Sequence, residues 1–313
     1  MSSESFVGID VSKDQLDVHV RPAGTARRFA NTDAGLRQLA KFLTPIAPTL
    51  VVLEATGAYS RAVVAVLAAD RIPLVVLNPA RVREFAKALG RLAKTDAVDA
   101  AVLAEYADRV RPTPRPRPDA DTRRVQALVA RRRQVIEMRS MDANRVDPAA
   151  DRAVTRSLSA VERALEKEVE RLDRDIAAAV ESSPAWAAQD ELLPSIPGIG
   201  PVVRHTLLAE LPELGTLTRE EVGALVGVAP MNRDSGRQHG RRAIRGGRAA
   251  VRAVVDMAAM SARVHNPALK AFADRLKTAG KAGRVIITAV ARKLVVIANA
   301  ILQKKTPWQP QVA

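Results

Sequence analysis

The sequence of 313 residues contains no cysteine, which excludes disulfides, thiolate metal sites and a thiol nucleophile. Aromatic residues are only 3% of the chain, and no zinc finger or helix-turn-helix pattern is present, so direct readout of base edges has weak support. Long apolar runs are also missing: the best stretch, Val285 to Leu302, is broken by Arg292 and Lys293, short of the roughly 18 uninterrupted residues of a spanning helix. The opening "MSSES" has neither a basic n-region nor an apolar h-region, so the expectation is a cytoplasmic chain with no membrane partner. Acidic residues are scarce, 34 against 49 Lys and Arg, a net charge of +15. Such an excess favours a polyanion, nucleic acid first, because each phosphate met by Lys or Arg releases a condensed counterion.

Hydrophobic residues, at 47%, are ample for real cores, and the length leaves room for two or three modules. The first runs over 1–110. In "FVGIDVSKDQLDVHV", Phe6, Val7 and Ile9 read as a strand, Ser12-Lys13-Asp14 as a turn and Leu16, Val18 and Val20 as the returning strand. Asp10 stands where the alternation would hold an inward apolar side chain, and burying a charge there is unfavourable without a cation beside it. A third strand around Arg27 to Ala30 follows, then a helix bearing Leu36, Leu39, Phe42 and Leu43. "TLVVLEATGAYS" is a buried strand ending at Glu54, a break at Gly57 and a helix from about Ala58; "IPLVVLNPARV" repeats that pattern. The order predicts a mixed α/β sheet. "KTDAVDAAVLAEYA" closes the module as a helix with Asp96 and Asp99 on one face.

Taken singly, Asp96 reads equally as a helix N-cap and Glu54 as a strand-end surface charge. Together, Asp10, Glu54, Asp96 and Asp99 make an oxygen-rich set suited to Mg²⁺ or Mn²⁺, and paired ions of this kind hold the attacking and leaving oxygens of a phosphoryl transfer. With these residues in view, "GIDVSKDQLDV", "LEATGAYS" and "KTDAVDA" resemble the RuvC-like DEDD transposases of bacterial insertion sequences, the one-ten family, related to the Piv-type DNA invertases. The resemblance implies a ribonuclease H-like fold for the first module, with those four carboxylates as the metal ligands.

The segment 111–183 reads as an arm. Alternating proline in "RVRPTPRPRPDADTRRVQALVARRR" stiffens a linker, and nine arginines between Arg109 and Arg133, with Arg131, Arg132 and Arg133 at its end, are expected to track a phosphate backbone. A helix to about Val146 is followed by a second, whose apolar stripe from Val154 to Val180 has an eleven-residue repeat, the mark of a nearly straight helical pairing. A hairpin within the chain is possible; dimerisation is preferred, because the stripe is narrow and the other face is charged. The resemblance also implies a coiled coil here.

The third module, 184–313, is helical. "LLPSIPGIGPVVRHTLLAEL" is similar to a helix-hairpin-helix element, with Gly198 and Gly200 giving a tight turn and N–H groups for a phosphate; an ordinary helical corner is the plain alternative. The loop "APMNRDSGRQHGRR" is too polar to be core, and seven arginines crowd Arg233 to Arg252, among them Arg237, Arg241, Arg242 and Arg245. Ser-Gly in a loop is ordinarily a turn. The resemblance, however, implies that Ser235 is the nucleophile that joins covalently to DNA. His239 is assigned no role.

These readings converge on a DNA recombinase acting on donor and target DNA in the bacterial nucleoid. The resemblance adds a structured non-coding guide RNA, and the arm adds a dimer, tetrameric on DNA. The rival is a metal-dependent Holliday-junction nuclease using water; a sugar kinase is disfavoured because its first turn would be rich in Gly and Thr.

Overall fold

The computed structural model describes residues 4–57, 59–91, 96–114, 119–145, 151–232, 240 and 242–309, with the backbone alone at 96–98. It forms two compact units, Met1–Arg117 and Pro118–Ala313. The sequence boundaries at 110 and 183 gave three modules; the arm instead shares a core with the helices C-terminal to it.

The first unit is a five-stranded mixed sheet. β1 (Phe6–Val11) and β2 (Gln15–Arg21) form the expected hairpin, and β3 (Thr25–Ala30) extends it antiparallel. Thr32 then caps α1 (Asp33–Leu43), its hydroxyl accepting from the Gly35 N–H. β4 (Leu50–Glu54) returns parallel to β1; α2 (Ser60–Ala69) leads to β5 (Leu74–Leu77), parallel to β4. Asn78-Pro79 turns into α3 (Pro79–Ala88), Asn78 capping it through the Ala80 N–H, and α4 (Asp96–Val110) closes the unit. The strand order is β3-β2-β1-β4-β5.

β1 is buried on both sides. Val7, Ile9 and Val11 pack with Leu39, Leu43 and Leu67, while Phe6 and Val52 pack with Leu103 and Tyr106 of α4. Gly8 lies on the α4 side, between Phe6 and Asp10, and has no side chain to hold the helix off. A Cβ there would stand 2.1 Å from the Ala100 carbonyl oxygen and 2.3 Å from the Ala104 nitrogen, so the helix backbone rests directly on the strand.

The second unit begins with α5 (Ala120–Ala143) and α6 (Arg152–Glu181), an antiparallel hairpin. The stripe's second half is therefore no dimer seam: Val169 and Leu172 are buried against Val135, and Ile176 and Val180 against Val125, Val129 and Ala209, all in the same chain. Val154 and Val161 stay exposed. This corrects the preference for dimerisation along the whole stripe. The hairpin is tied to the rest of the unit by a polar contact as well, since Gln126 of α5 donates to the Ala209 carbonyl at 2.9 Å.

α7 (Pro184–Leu192), a 3-10 turn (Leu193–Ser195), α8 (Pro201–Glu210), α9 (Arg219–Val226), α10 (Ala249–His265), α11 (Pro267–Thr278) and α12 (Gly283–Lys304) complete the unit, with a two-residue ribbon of β6 (Pro230–Met231) and β7 (Ala243–Ile244) before α10. Among the described residues α12 is the one helix long and apolar enough to cross a membrane. It is the core helix of this unit: Val290, Leu294, Val295 and Ala298 are buried against Val251 and Val255. Asn299 fixes it, donating to the Leu217 carbonyl and accepting from the Gly215 N–H at 2.7 and 2.8 Å.

Gly8→Ala tests the contact on which the first unit closes. Overpacking of this kind costs about 1–3 kcal/mol, and here the obstacle is backbone, so the substitution is expected at the upper end, read as a lowered denaturant midpoint with full-length protein.

Candidate active site and nucleic-acid interface

The register brings two of the four sequence-identified carboxylates to one end of the sheet. Ile9 pairs with Leu53, so the next residues, Asp10 and Glu54, lie side by side on neighbouring parallel strands, about 4.8 Å apart in such a sheet. Both are half-buried. The direction of α4 is fixed at its other end: the Arg111 guanidinium stands 4.9 Å from the Phe6 ring, and Arg21, opposite Phe6 in the ladder, bonds to Asp108 at 3.1 Å. The helix therefore runs from the Asp10 end of β1 back to its start, and Asp99, half-buried, precedes the Ala100 that touches Gly8. α4 begins at Asp96, whose side chain lies outside the described residues. Among the described residues no three acidic or histidine side chains gather into a closed ligand set. The donors present are all carboxylate oxygens, the chemistry a hard divalent cation takes.

Two neighbours were not singled out from the sequence. Asp17 stands directly opposite Asp10 across the β1–β2 ladder, and its side chain is only 11% exposed. Like charges facing each other on adjacent strands repel; Arg28 on β3 answers the one at Asp17, its Nε–H donating at 2.8 Å. His19 lies opposite Gly8 on the same face. Burial, and then the Arg21 and Arg91 guanidinium groups, hold its imidazole below the usual value of 6.5. The signal for Asp17 was available: it is the second acidic residue at an inward position of the opening hairpin.

In the second unit, Arg233, Ser235, Arg237, His239 and Arg241 lie outside the described residues. The stem of their loop is described. Pro230 pairs with Ile244 and Met231 with Ala243. Just below, the backbone at Gly247 passes so close to Gly227 that a Cβ on Gly247 would fall 2.3 Å from the Gly227 nitrogen. Arg252 donates to the Gly246 carbonyl, and Arg248 is held by Glu213 at 2.6 and 2.7 Å. Arg242 and Arg245, on the stem, are exposed.

Gly198 has a φ of 107°, and a Cβ there would lie 2.5 Å from the Ala262 Cβ on α10. Its smallness is thus required by packing inside the unit. Gly200 precedes α8 as its N-cap, where a Cβ would meet nothing within 4 Å. Of the arm arginines, Arg132 is clamped by both oxygens of Asp173 at 2.5 and 3.1 Å and is mostly buried; it ties α5 to α6. Arg133 reaches Glu210 at 3.3 Å and Arg131 reaches Gln134 at 3.3 Å.

Two family models match. A DEDD-type transposase model of the IS110 kind, described as Transposase, covers residues 7–155, and one described as Transposase IS116/IS110/IS902 family covers residues 190–274. The pilin gene-inverting proteins of Moraxella lacunata and Moraxella bovis are each 26% identical over 325 aligned positions, spanning 99% of this chain and 99% of theirs. The first match encloses all four predicted carboxylates, and the second encloses Ser235.

The state of His19 gives a test of the site's electrostatics. Its folded pKa is lowered, so between that value and the unfolded value near 6.5 the unfolded chain holds the extra proton, and stability falls as pH drops through this window. The His19→Gln variant is expected to lose that part of the pH dependence in denaturant midpoints measured from pH 7.5 to about pH 5.

Proposed function

Because the chain belongs to the IS116/IS110/IS902 family of transposases, enzymes that recombine DNA, we propose that it cuts and rejoins DNA strands through its four carboxylates and Ser235. The observation that carries this reading is the pairing of β1 with β4 beneath α4, which sets Asp10 and Glu54 side by side at the end of the sheet where α4 brings Asp99. The strand order of the first unit supports a ribonuclease H-like, RuvC-like fold.

In this reading Asp10, Glu54, Asp96 and Asp99 would hold Mg²⁺ or Mn²⁺, which supplies charge to a phosphodiester and its leaving oxygen. Ser235 is the nucleophile. Its Oγ gives up a proton and bonds to phosphorus, the bond from phosphorus to the 3′ oxygen breaks, and that oxygen takes a proton. The phosphoserine keeps the energy of the broken bond, so a 3′ hydroxyl from another strand reverses the step and joins new partners. Arg242 and Arg245, exposed on the stem, lend positive charge to the phosphate as its charge develops. The name of the Moraxella relatives, which invert a pilin gene, fits an exchange of strands rather than simple hydrolysis.

A structured guide RNA is the proposed source of target choice: the chain carries a net +15 with 3% aromatic residues, suited to binding backbone more than reading base edges. The Gly198–Gly200 turn as a helix-hairpin-helix element, the oligomer through the exposed end of the hairpin, and action at the bacterial nucleoid complete the proposal.

The experiment is a denaturing gel of labelled DNA carrying the sequences that flank the chain's own gene, with the RNA that copurifies. Wild type is expected to leave a slow, protease-sensitive protein–DNA adduct. Ser235→Ala and Asp10→Ala should each lose it, with cutting down by roughly 10³-fold or more, as when a nucleophile is removed. Undiminished cutting by Ser235→Ala, with no adduct in wild type, would make water the nucleophile and the chain a junction nuclease.

A further inference from the structure

Toward β3, α4 covers the sheet no farther than β2, and beyond it the same face continues as a cleft. Asp17 and His19 of β2, Ala26 and Arg28 of β3 and Ala100 of α4 line a cavity of about 270 Å³. Its lining is small and mixed, with Asp17, His19 and Arg28 set among Ala26 and Ala100. It starts beside Asp17, directly opposite Asp10, and so lies next to Asp10 over β2 and β3.

The pairing inside this cleft is unusual in its placing. A carboxylate as sheltered as Asp17 is stabilising only with a well-made partner, and an apolar residue at that position would avoid both its desolvation and its repulsion by Asp10. Asp17 is used instead to orient Arg28, whose side chain is 57% exposed. One of the guanidinium's five N–H donors goes to Asp17, and the planar fork has four more. The same arrangement recurs along α4: Arg21 is held by Asp108 at 3.1 Å and Arg91 by Glu105 at 2.8 Å. His19 sits among these groups as an added N–H donor.

Resting on the reading of Asp10 as part of a DNA-cutting site, we propose that this cleft is a phosphate subsite, in which Arg28, positioned by Asp17, binds the backbone phosphate next to the one that is cut. The cavity falls just below the roughly 300–1,000 Å³ of small-molecule pockets, and suits one phosphate with its sugar. The ligand class is a single strand of a nucleic acid, bound through its backbone without regard to base. Asp17 is a positioning residue; Arg28 is the contact.

The test is equilibrium binding of labelled DNA to the full chain, with Ca²⁺ in place of Mg²⁺ so that nothing is cut. Methylphosphonate linkages, each removing one phosphate charge, are moved stepwise along the strand. For wild type, one linkage beside the cut position should weaken binding about tenfold, the loss typical of a charge-assisted hydrogen bond. For Arg28→Ala the same linkage should cost nothing, and the slope of log affinity against log salt should shrink by about one. Arg37→Ala, an exposed arginine of α1, should behave as wild type. Asp17→Asn should keep the salt slope but blunt the preference for that linkage. If wild type binds and Arg28→Ala responds to every linkage as wild type does, the subsite is overturned. Should Arg28→Ala not fold, Arg28→Lys is compared instead: the proposal requires weaker binding with an unchanged salt slope, and wild-type affinity overturns it. Failure of wild type to bind DNA at all would overturn the functional reading beneath.

Discussion

The absence of a side chain at Gly8 is the constraint on which the first unit depends. Any Cβ there would meet the backbone of α4 at Ala100 and Ala104, and the helix could not lie on β1. With the helix seated, three separate stretches of sequence meet: Asp10 and Glu54 on the strands and Asp99 on the helix stand at the same end of the sheet. The charges follow from the packing. Phe6, Val52, Leu103 and Tyr106 fill the apolar part of that interface, and Asp10, Glu54 and Asp99 stand beyond it, at the end of β1 away from Phe6.

The second unit uses its own close approach to hold a polar loop. The Gly227 and Gly247 backbones cross at contact distance, and the β6–β7 pairs close the stem, on a scaffold whose centre is α12. Arginine is divided between two tasks here. Arg132 and Arg248 are committed to Asp173 and Glu213 inside the unit, whereas Arg242 and Arg245 face solvent beside the loop. A net charge alone overstates the cationic surface, because part of the arginine is structural.

Much of this was legible in the sequence. The hairpin, the strand ending at Glu54, the Asn78-Pro79 turn and the closing helix all carry local signals of alternation, capping and spacing, and local signals are what a chain read in one dimension contains. The carboxylates were proposed from their order and residue type, and their role as a set from the family resemblance. What escaped depends on contacts distant in the chain. Gly8 looks like any strand glycine until Ala100 is seen above it. Gly198 reads as a turn residue until Ala262 fills the space beside it. The stripe on α6 announces a partner but not which one; α5 of the same chain supplies it for Val169 to Val180. Asp17 was passed over because its meaning lies across the ladder, in Asp10 and Arg28.

The end of the sheet bearing Asp10, Glu54 and Asp99 is the proposed divalent-cation site at which DNA would be cut. Anomalous diffraction from crystals of the full chain soaked in Mn²⁺ tests it most directly. The account predicts a peak within coordination distance, about 2.0–2.3 Å, of carboxylate oxygens of Asp10 and at least one of Glu54, Asp96 or Asp99, lost in Asp10→Asn crystals. A peak confined to other acidic residues, or one that survives Asp10→Asn unchanged, would contradict it.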